Sequence, residues 1–314
     1  MADTTEVEMC RTWNDVIAAF DSVGLPKRGE TAGPTWVFRG HKSSEYSLEP
    51  SVEREACGTR LEWKALEGKM LKEFQTKAPL HILSAPLPVS EDKLSWLALM
   101  QHYGIPTRLL DFTYSPYVAL YFALRYSVID KCKFPPEVWA IDLDALNVSA
   151  SRQSEKADEV YAKEDPESVD KTPLWKTIAD QMLASQYEIL RGFDERWKTV
   201  VLKALDPDHT RRNFFNKNGL VLGVLPSVEN QRLSSQQGIF LLSGAENITF
   251  QVSLEKMMDE CKAWCRRFQF AEEIVHQAEA RLFQMNIHDL SLFPDVEGLA
   301  GFVRQKARLL WGRD

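Results

Sequence analysis

The chain has 314 residues, of which 44% are hydrophobic and 26% are charged. This composition is typical of a folded globular protein, and it excludes a disordered, a collagen-like or a disulfide-stapled chain. Lysine and arginine number 38 against 45 aspartate and glutamate residues, which gives a net charge of −7. No overall positive field therefore attracts nucleic acid or an anionic membrane, although a local basic patch is compatible with this balance.

The spacing of cysteine and histidine indicates neither a metal site nor a redox site. The five cysteines include no CxxC pair, and the six histidines never occur at HxxxH or HExxH spacing, so no protein-built metal site is expected. The N-terminal segment lacks the basic and apolar regions of a signal peptide. No apolar stretch approaches the roughly 20 residues that cross a bilayer. We therefore expect a cytoplasmic protein without membrane contact.

The pattern of apolar residues predicts elements along the whole chain. In the first half, helices are predicted over 7–20, 61–77, 94–103 and 117–127, and strands over 35–39 and 137–143. The most polar stretch, 147–172, is interpreted as a mobile insertion. In the second half, a helix is predicted over 174–191 and strands over 220–225, 238–242 and 248–252, and nearly everything from residue 254 onward is predicted to be helical, including 255–270, 271–285 and 298–310.

Strands and helices are interspersed without a regular βαβ alternation, which favours an α+β fold. We expect a small mixed or antiparallel sheet surrounded by helices. An N-terminal helical segment would occupy residues 1–30 and a catalytic core 31–253, with the insertion at about 147–172. Residues 254–314 would form a helical C-terminal part of the same domain.

Common enzyme motifs are absent from the sequence. There is no GxGxxG, no GxxxxGK[ST] and no GxSxG, so a Rossmann site, a P-loop and an α/β-hydrolase elbow are not indicated. Function must therefore be sought in less common segments.

The most unusual segment is residues 99–123, LMQHYGIPTRLLDFTYSPYVALYFA. It places Arg108 and Asp111 in a loop between two apolar helices, where charges must be paired or must face a cleft. One interpretation is an Arg108–Asp111 ion pair that fixes the loop. The alternative is an anion or nucleotide pocket with Arg108 as a bidentate phosphate donor.

Two further segments are candidates for ligand contact. Arg39 ends a predicted strand and is followed by Gly40, which would let a ligand approach the backbone; the alternative is a solvated surface arginine. Gln236 and Gln237 precede the strand that begins at Gly238.

Together these segments resemble the FRG-domain family, which is named for the tripeptide Phe38-Arg39-Gly40. The similarity spans roughly residues 35 to 302. Its motifs are Leu48-Glu49-Pro50-Ser51 with Arg54, the central segment QHYGIPTRLLDFTYSPYVALYFA, Asn230, Arg232, Gln236-Gln237-Gly238-Ile239-Phe240, and the closing segment 292–300, LFPDVEGLA.

The resemblance implies a fold related to ADP-ribosyltransferases and an activity that uses NAD as substrate. It further implies a bacterial toxin or anti-phage defence effector that modifies a macromolecule, with nucleic acid such as RNA or DNA favoured over protein. A neutralising antitoxin or a chaperone protein is then an expected partner. Arg211 and Arg212, beside Phe214 and Phe215, are a candidate contact for nucleic acid; the alternative is a solvated basic turn after residues 206–208.

The resemblance also implies roles for individual residues. Arg39, with Gly40, would hold the phosphate or ribose of NAD, and Asp111 would orient Arg108 or polarise the acceptor. Gln237, with Gln236 as its neighbour, takes the third-motif position. Arg39, Asp111 and Gln237 are thus the candidate catalytic residues.

Four residues of the central segment would bind the rest of the dinucleotide. On the same resemblance, Thr107 and Arg108 grip it, while His102 or Tyr103 packs on a ring.

The third motif departs from the transferase pattern, because many such enzymes have a glutamate where this chain has glutamines. Asp111, Glu229 or Glu246 would then supply the acid, or transfer would be slow, or the protein would bind NAD without turnover. Two other functions remain open: a non-catalytic nucleotide-binding sensor or interaction module, and a metal-dependent hydrolase or nuclease that uses Asp111 with glutamates.

Overall fold

The structure is a computed structural model, and it describes residues 6–24, 35–58, 62–82, 87–125, 133–164, 201, 203–205, 209–226, 231–258 and 265–311. The predicted helix over 174–191 lies outside these residues. No helix in the described part of the chain combines the length and apolarity needed to cross a bilayer.

Seven strands form one sheet in the order β1-β7-β4-β2-β3-β6-β5. The strands are β1 (Glu6–Cys10), β2 (Trp36–His41), β3 (Leu109–Thr113), β4 (Glu137–Asp142), β5 (Val221–Val224), β6 (Gly238–Ser243) and β7 (Cys265–Phe270). Strands β1 and β7 are parallel, and the other neighbouring pairs are antiparallel. The mixed α+β class is confirmed, with a wider sheet than the small one predicted.

Twelve helices are described around this sheet. They are α1 (Trp13–Gly24), α2 (Ser51–Cys57), α3 (Trp63–His81), α4 (Lys93–His102), α5 (Pro116–Leu124), α6 (Leu143–Glu164), α7 (His209–Asn218), α8 (Gln231–Ser235), α9 (Phe250–Met258), α10 (Glu272–Gln284), α11 (Asp289–Leu292) and α12 (Val296–Lys306). A π-helical turn over Ala307–Trp311 follows α12.

Helices cover both faces of the sheet, because central strands send alternate side chains to opposite faces. In β4, Trp139 and Ile141 join one apolar cluster, and Val138 and Ala140 join the other. The first cluster includes side chains of α3, α4, α6 and α9, and the second includes side chains of α1, α5 and α10. Burial of both faces accounts for the nearly continuous apolar sequence of β4.

The sheet is nearly divided in two between its central strands β2 and β3. Among the described residues, Phe38 and Thr113 are the only ones paired in register across this boundary. By contrast, β2 pairs with β4 over its full length, and β3 pairs with β6 over its full length. The residues that follow Phe38 and those that precede Thr113 therefore face each other without a backbone ladder.

Gly40 is required by the packing of helix α5 against strand β2. A Cβ atom at this position would lie 2.0 Å from the carbonyl oxygen of Ala119 and 2.5 Å from the amide nitrogen of Ala123. Close approach of a helix backbone is thus a reason for this glycine besides the predicted approach of a ligand, which stays a prediction because Gly40 also lies in the lining of the cleft described below. The predicted strand also continues past Gly40 to His41.

The two ends of the chain contain strands where the sequence predicted only helix. The predicted helix over 7–20 begins instead at Trp13, after β1. The start is fixed by Thr12 Oγ1, which accepts from the amide of Asp15, while the Asp15 carboxylate accepts from the amide of Thr12. The predicted helix over 255–270 ends early, and its last residues form β7, where Phe268 and Phe270 alternate inward.

The predicted strand over 248–252 is wrong, because helix α9 begins at Phe250. The amide of Phe250 donates to both carboxylate oxygens of Glu53, at 3.1 and 3.2 Å. This acceptor stabilises the first turn of α9 from a distant part of the chain, as a capping residue would. No local pattern in 248–252 contains that information.

The predicted mobile insertion at 147–172 is also corrected over its first part. Residues up to Glu164 belong to helix α6, which packs on β5. Asn147 is buried, and its side-chain oxygen accepts from the amide of Gly223 at 2.9 Å. Buried small and polar residues on one face of α6, such as Ser151 and Ser154, gave the segment its polar appearance.

We expect Gly40→Ala to lower the free energy of unfolding by about 1–3 kcal/mol or more, because the new methyl group collides with helix backbone. Gly68→Ala is the matched control: Gly68 lies in α3 with nothing within 4 Å of its would-be Cβ, and it should gain about 0.5–1 kcal/mol. Denaturant unfolding of both variants measures the difference. Equal stability of the two variants would contradict the packing assigned to Gly40.

Candidate functional site

A cleft of about 810 Å³ opens where β2 and β3 separate. Its base is formed by residues of these two strands, and its sides by α4, α5 and α8 and by the segments after β2 and α11. The lining side chains that carry polar or aromatic chemistry are Arg39, His41, Lys42, Tyr46, Arg54, Gln101, His102, Asp111, Arg125, Arg232, Gln236 and Phe293.

Arg39 bridges the separated strands. Its Nη1 atom donates to the backbone carbonyl of Asp111 at 2.7 Å and lies 4.0 Å from the Asp111 carboxylate. This contact replaces the backbone hydrogen bonds that β2 and β3 lack here. The Nη2 atom has no partner among the described residues, so part of the guanidinium remains available to an anion in the cleft.

His41 fixes the orientation of Arg39. Its Nδ1 faces the carbonyl of Tyr46 at 3.2 Å and must donate there, so Nε2 is the acceptor for Arg39 Nε at 3.1 Å. Burial, with Arg39 adding to the effect, lowers the pKa of His41 to about 3. The imidazole is therefore neutral at physiological pH, as an acceptor for a guanidinium must be.

Asp111 projects into the cleft from the middle of β3, with a side chain that is 63% exposed to the cleft. Neighbouring protein at the base of the cleft partly desolvates the carboxyl and raises its pKa, while Arg39 and a hydrogen bond from Gln101 oppose the rise. The site thus holds a carboxyl group that takes up a proton more readily than an ordinary surface aspartate.

The opposite wall holds two arginines on one aromatic ring. The guanidinium carbons of Arg125 and Arg232 lie 4.5 and 5.3 Å from the centre of the Phe293 ring, within the range of cation–π attraction. Arg125 also pairs with Asp289 at 2.6 Å, and Arg232 pairs with Asp295. These contacts fix the closing segment as part of the cleft wall.

Cationic side chains outnumber acidic ones in the cleft lining, although the chain is negative overall and Arg125 and Arg232 have acidic partners. Among the described lining residues, five are arginine or lysine (Arg39, Lys42, Arg54, Arg125 and Arg232), and three are acidic (Glu45, Glu49 and Asp111). A concave surface lined by one predominant sign of charge concentrates ligands of the opposite sign. The arrangement therefore suits an anionic ligand.

Arg108 does not enter this cleft, and neither predicted role for it is correct. It is buried, and its partner is Glu67 rather than Asp111: Arg108 Nε lies 2.7 Å and Nη2 2.5 Å from Glu67 Oε2, and the Arg108 amide donates to Oε1 at 2.8 Å. The guanidinium also lies 4.7 Å from the ring centre of Trp63. Arg108 thus anchors α3 to the start of β3.

Thr107 is also buried, and it reaches the cleft only through its contact with Gln101. Its hydroxyl donates to Gln101 Oε1, which leaves the amide group of Gln101 to donate to Asp111. Thr107 therefore positions Gln101 instead of gripping a dinucleotide. His102 and Tyr103 were the two residues predicted to pack on a ring of the dinucleotide. His102 lines the cleft, whereas Tyr103 is 53% exposed and packs on Phe74.

The two glutamines of the third motif separate. Gln236 lines the cleft, and its side-chain Nε2 donates to the backbone carbonyl of Leu292 at 3.1 Å. Gln237 is exposed outside the cleft lining, with a left-handed backbone (φ 49°) at the turn into β6. Its carbonyl accepts from the amide of Tyr114, so the position serves the turn.

Glu246 and the predicted basic patch lie outside the cleft. Glu246 pairs with Lys64 and Arg212 outside the cleft, and Glu229 is not among the described residues. Arg211 pairs with Asp158 at 2.8 Å, and Phe215 is buried. The arginine pair at 211–212 is thus engaged in ion pairs with acidic neighbours.

His41, Gln101, Arg125 and Phe293 were not predicted as site residues. His41 had a signal, because two residues after Arg39 on a strand is the same face. For Arg125 and Phe293 no local signal exists, since they meet only through the packing of α5 against the closing segment.

The FRG domain family matches residues 34–131, which include β2, β3, α4 and α5 and therefore the base of the cleft. The chain contains an FRG domain. The matched residues are less than half of the chain, and they hold the FRG tripeptide itself, the Asp111 carboxyl and the glycine against which α5 packs. A search of curated proteins and a search of solved structures each gave no match.

Among the residues that the structure describes, no group of three or more histidine, cysteine, aspartate or glutamate side chains is arranged to hold a metal ion. Four side chains meet at the base of the cleft between β2 and β3: the guanidinium of Arg39, the neutral imidazole of His41, the amide of Gln101 and the carboxyl of Asp111. These groups have the chemistry to bind an anion and to transfer a proton.

We expect Glu67→Gln to lower the free energy of unfolding by about 3–5 kcal/mol, because it leaves the Arg108 guanidinium buried without a countercharge. Glu73→Gln on the same helix is the control, since the Glu73–Lys77 pair has side chains 63–66% exposed against 1–3% for the buried pair. Its effect should be far smaller. Equal losses in denaturant unfolding would show that the buried pair has no special role.

Proposed function

We propose that the protein is an NAD-dependent ADP-ribosyltransferase, with the cleft between β2 and β3 as its active site. The observation that carries this proposal is the opposition of Arg39 and Asp111 at the cleft base. One presents a free guanidinium edge to an anion, and the other presents a carboxyl group 4.0 Å away. Cleavage of a dinucleotide at a ribose requires a cation that holds the phosphates and a carboxyl group beside the ribose that reacts.

The size and charge of the cleft support a dinucleotide as ligand. A volume of about 810 Å³ lies in the range of about 300–1,000 Å³ found for small-molecule sites. The pyrophosphate of NAD carries two negative charges, which match the excess of cationic side chains in the lining. Arg39, held by His41, is the residue we assign to the phosphate or to the adjacent ribose.

The proposed reaction breaks the bond between the nicotinamide nitrogen and ribose C1′. The electron pair of this bond goes to the pyridinium nitrogen, so nicotinamide leaves as a neutral molecule, and C1′ gains oxocarbenium character. A lone pair of the acceptor then forms the new bond to C1′. The proton of the acceptor goes to the Asp111 carboxylate, whose raised pKa suits it to receive that proton.

Asp111 takes the part that a third-motif glutamate has in many transferases. An ionised carboxylate beside C1′ stabilises the developing positive charge through space, which an amide such as Gln236 does only as a dipole. Gln236 remains a candidate for binding a ribose hydroxyl, because it lines the same cleft. Gln237 is assigned no contact with substrate.

The acceptor that we propose is a macromolecule, with RNA or DNA favoured. Lys42, Arg54 and the exposed ring of Tyr46 border the cleft, and cationic and aromatic side chains together are typical of single-stranded nucleic acid contacts. We propose further that this activity is that of a toxin or an anti-phage defence effector, with a neutralising antitoxin or a chaperone as its partner.

The second candidate function is a non-catalytic nucleotide-binding module. It is favoured by the neutral third motif, because Gln236 cannot replace a charged glutamate. Such a module would bind NAD in the same cleft and release no nicotinamide.

Incubation of the purified protein with labelled NAD, separately with RNA, DNA and protein extracts, tests the proposal. We expect label in one pool, with Arg39→Ala lowering both NAD affinity and transfer, and Asp111→Asn lowering transfer about 100-fold or more while NAD still binds. Gln237→Ala and Arg281→Ala, at exposed positions outside the cleft lining, are controls and should retain activity. Binding of NAD without release of nicotinamide would support the module instead, and absence of binding would contradict both.

Activity should fall at acid pH along a limb set by Asp111, because the proposed role requires its carboxylate. The raised pKa of Asp111 places the midpoint of this limb above the ordinary value of 3.8. Activity is therefore full above the raised pKa and is lost as the pH falls through it. Nicotinamide release measured against pH for the wild type gives the midpoint, and a limb that persists unchanged in the residual activity of Asp111→Asn would assign it to another group.

A further inference from the structure

A second cavity lies behind the wall of the cleft, between α5 and the C-terminal helices α10, α11 and α12. Its volume is about 310 Å³. Arg125 lines both spaces and so forms part of the wall between them. Of the residues that line the cavity, only Tyr121 of α5 and Arg125, which follows α5, lie within the matched FRG residues.

Side chains of both charges line this small space. Arg125 pairs with Asp289 at 2.6 Å, and Arg308 donates from Nη2 to Glu279 Oε1 at 3.0 Å. Arg304, which is exposed, forms no ion pair with any residue that the structure describes. Asp289 and Glu279 are thus balanced by Arg125 and Arg308. The guanidinium of Arg304 is the third positive charge in the lining.

Several buried polar atoms on the lining side chains lack hydrogen-bond partners. They are Glu279 Oε2, Gln305 Oε1 and Arg308 Nε, and the residues Glu279 and Gln305 are only 4% and 7% exposed. Buried polar groups are almost always satisfied, and each exception calls for a partner that the chain does not supply. Consistent with this shortage, burial raises the pKa of Glu279 to about 6 although Arg308 opposes the rise.

The unsatisfied atoms define the chemistry of the missing partner. A carboxylate oxygen and an amide oxygen require a donor, and an ammonium group offers three. The remaining guanidinium of Arg304 and the Nε of Arg308 require an acceptor, and a carboxylate is the group that arginine binds best. A ligand with a single sign of charge would satisfy only half of the set.

We infer that the cavity between α5 and α10–α12 binds a small zwitterion with an ammonium and a carboxylate group, of the kind represented by a free α-amino acid. The ammonium faces Glu279 and Gln305, and the carboxylate faces Arg304 and Arg308. This site is independent of the NAD reaction proposed for the cleft, and no step of that reaction passes through it.

The test is a thermal-shift screen of the full-length protein with each common free L-α-amino acid, followed by calorimetric titration of those that raise the Tm. We expect at least one to bind, and we expect its N-acetyl derivative and its carboxamide each to bind about tenfold more weakly or worse, because each lacks one charge. Arg304→Ala should weaken the free amino acid about tenfold but leave the carboxamide nearly unchanged. Arg281→Ala, which changes an exposed arginine that does not line the cavity, is the control.

Gln305→Leu separates binding from folding. Replacing an unsatisfied buried amide by an apolar side chain should leave the Tm of the empty protein unchanged or higher, while affinity for the amino acid falls about tenfold. The inference is overturned if no free amino acid binds at millimolar concentration, if either single-charge derivative binds as well as its parent, or if Arg281→Ala weakens binding as much as Arg304→Ala. In the first case the cavity holds only water.

Discussion

The separation of two central strands is the constraint on which the rest of this molecule depends. A sheet whose middle strands pair at one position, Phe38 with Thr113, would normally lose the hydrogen bonds that hold its halves together. Here Arg39 supplies one of them by donating to the Asp111 carbonyl at 2.7 Å. The opening that results is the cleft lined by Arg39, Asp111 and the other polar side chains described above.

Each half of the sheet is held in place by contacts behind the opening. On the β2 side, the absence of a side chain at Gly40 lets the backbone of α5 lie directly on the strand. On the β3 side, the buried Glu67–Arg108 pair ties the start of the strand to α3. Gly40 and Arg108, which the sequence suggested as ligand contacts, therefore hold in place the two strands that border the cleft. The matched FRG residues thus include positions that support the cleft as well as positions that line it.

The sequence predicted what local rules determine. The helices predicted over 94–103 and 117–127 are α4 and α5, Lys93–His102 and Pro116–Leu124. Local capping favours such bounds: Gly104, just after α4, has a φ of 78°, and Ser115 accepts from the amide of Val118 at the start of α5. Arg39 and Asp111, which the sequence singled out, both lie in the lining of the cleft. The partner of Arg108 lies 41 residues away and the cap of α9 lies 197 residues away, and neither distance leaves a pattern in one sequence.

Hydrogen–deuterium exchange of the full chain with and without saturating NAD tests most directly whether the gap between β2 and β3 is the nucleotide site. We expect slower exchange in peptides covering β2, the segment after it and β3, with the same peptides unchanged in Arg39→Ala. Protection confined to other parts of the sheet, or equal protection in Arg39→Ala, would contradict this expectation.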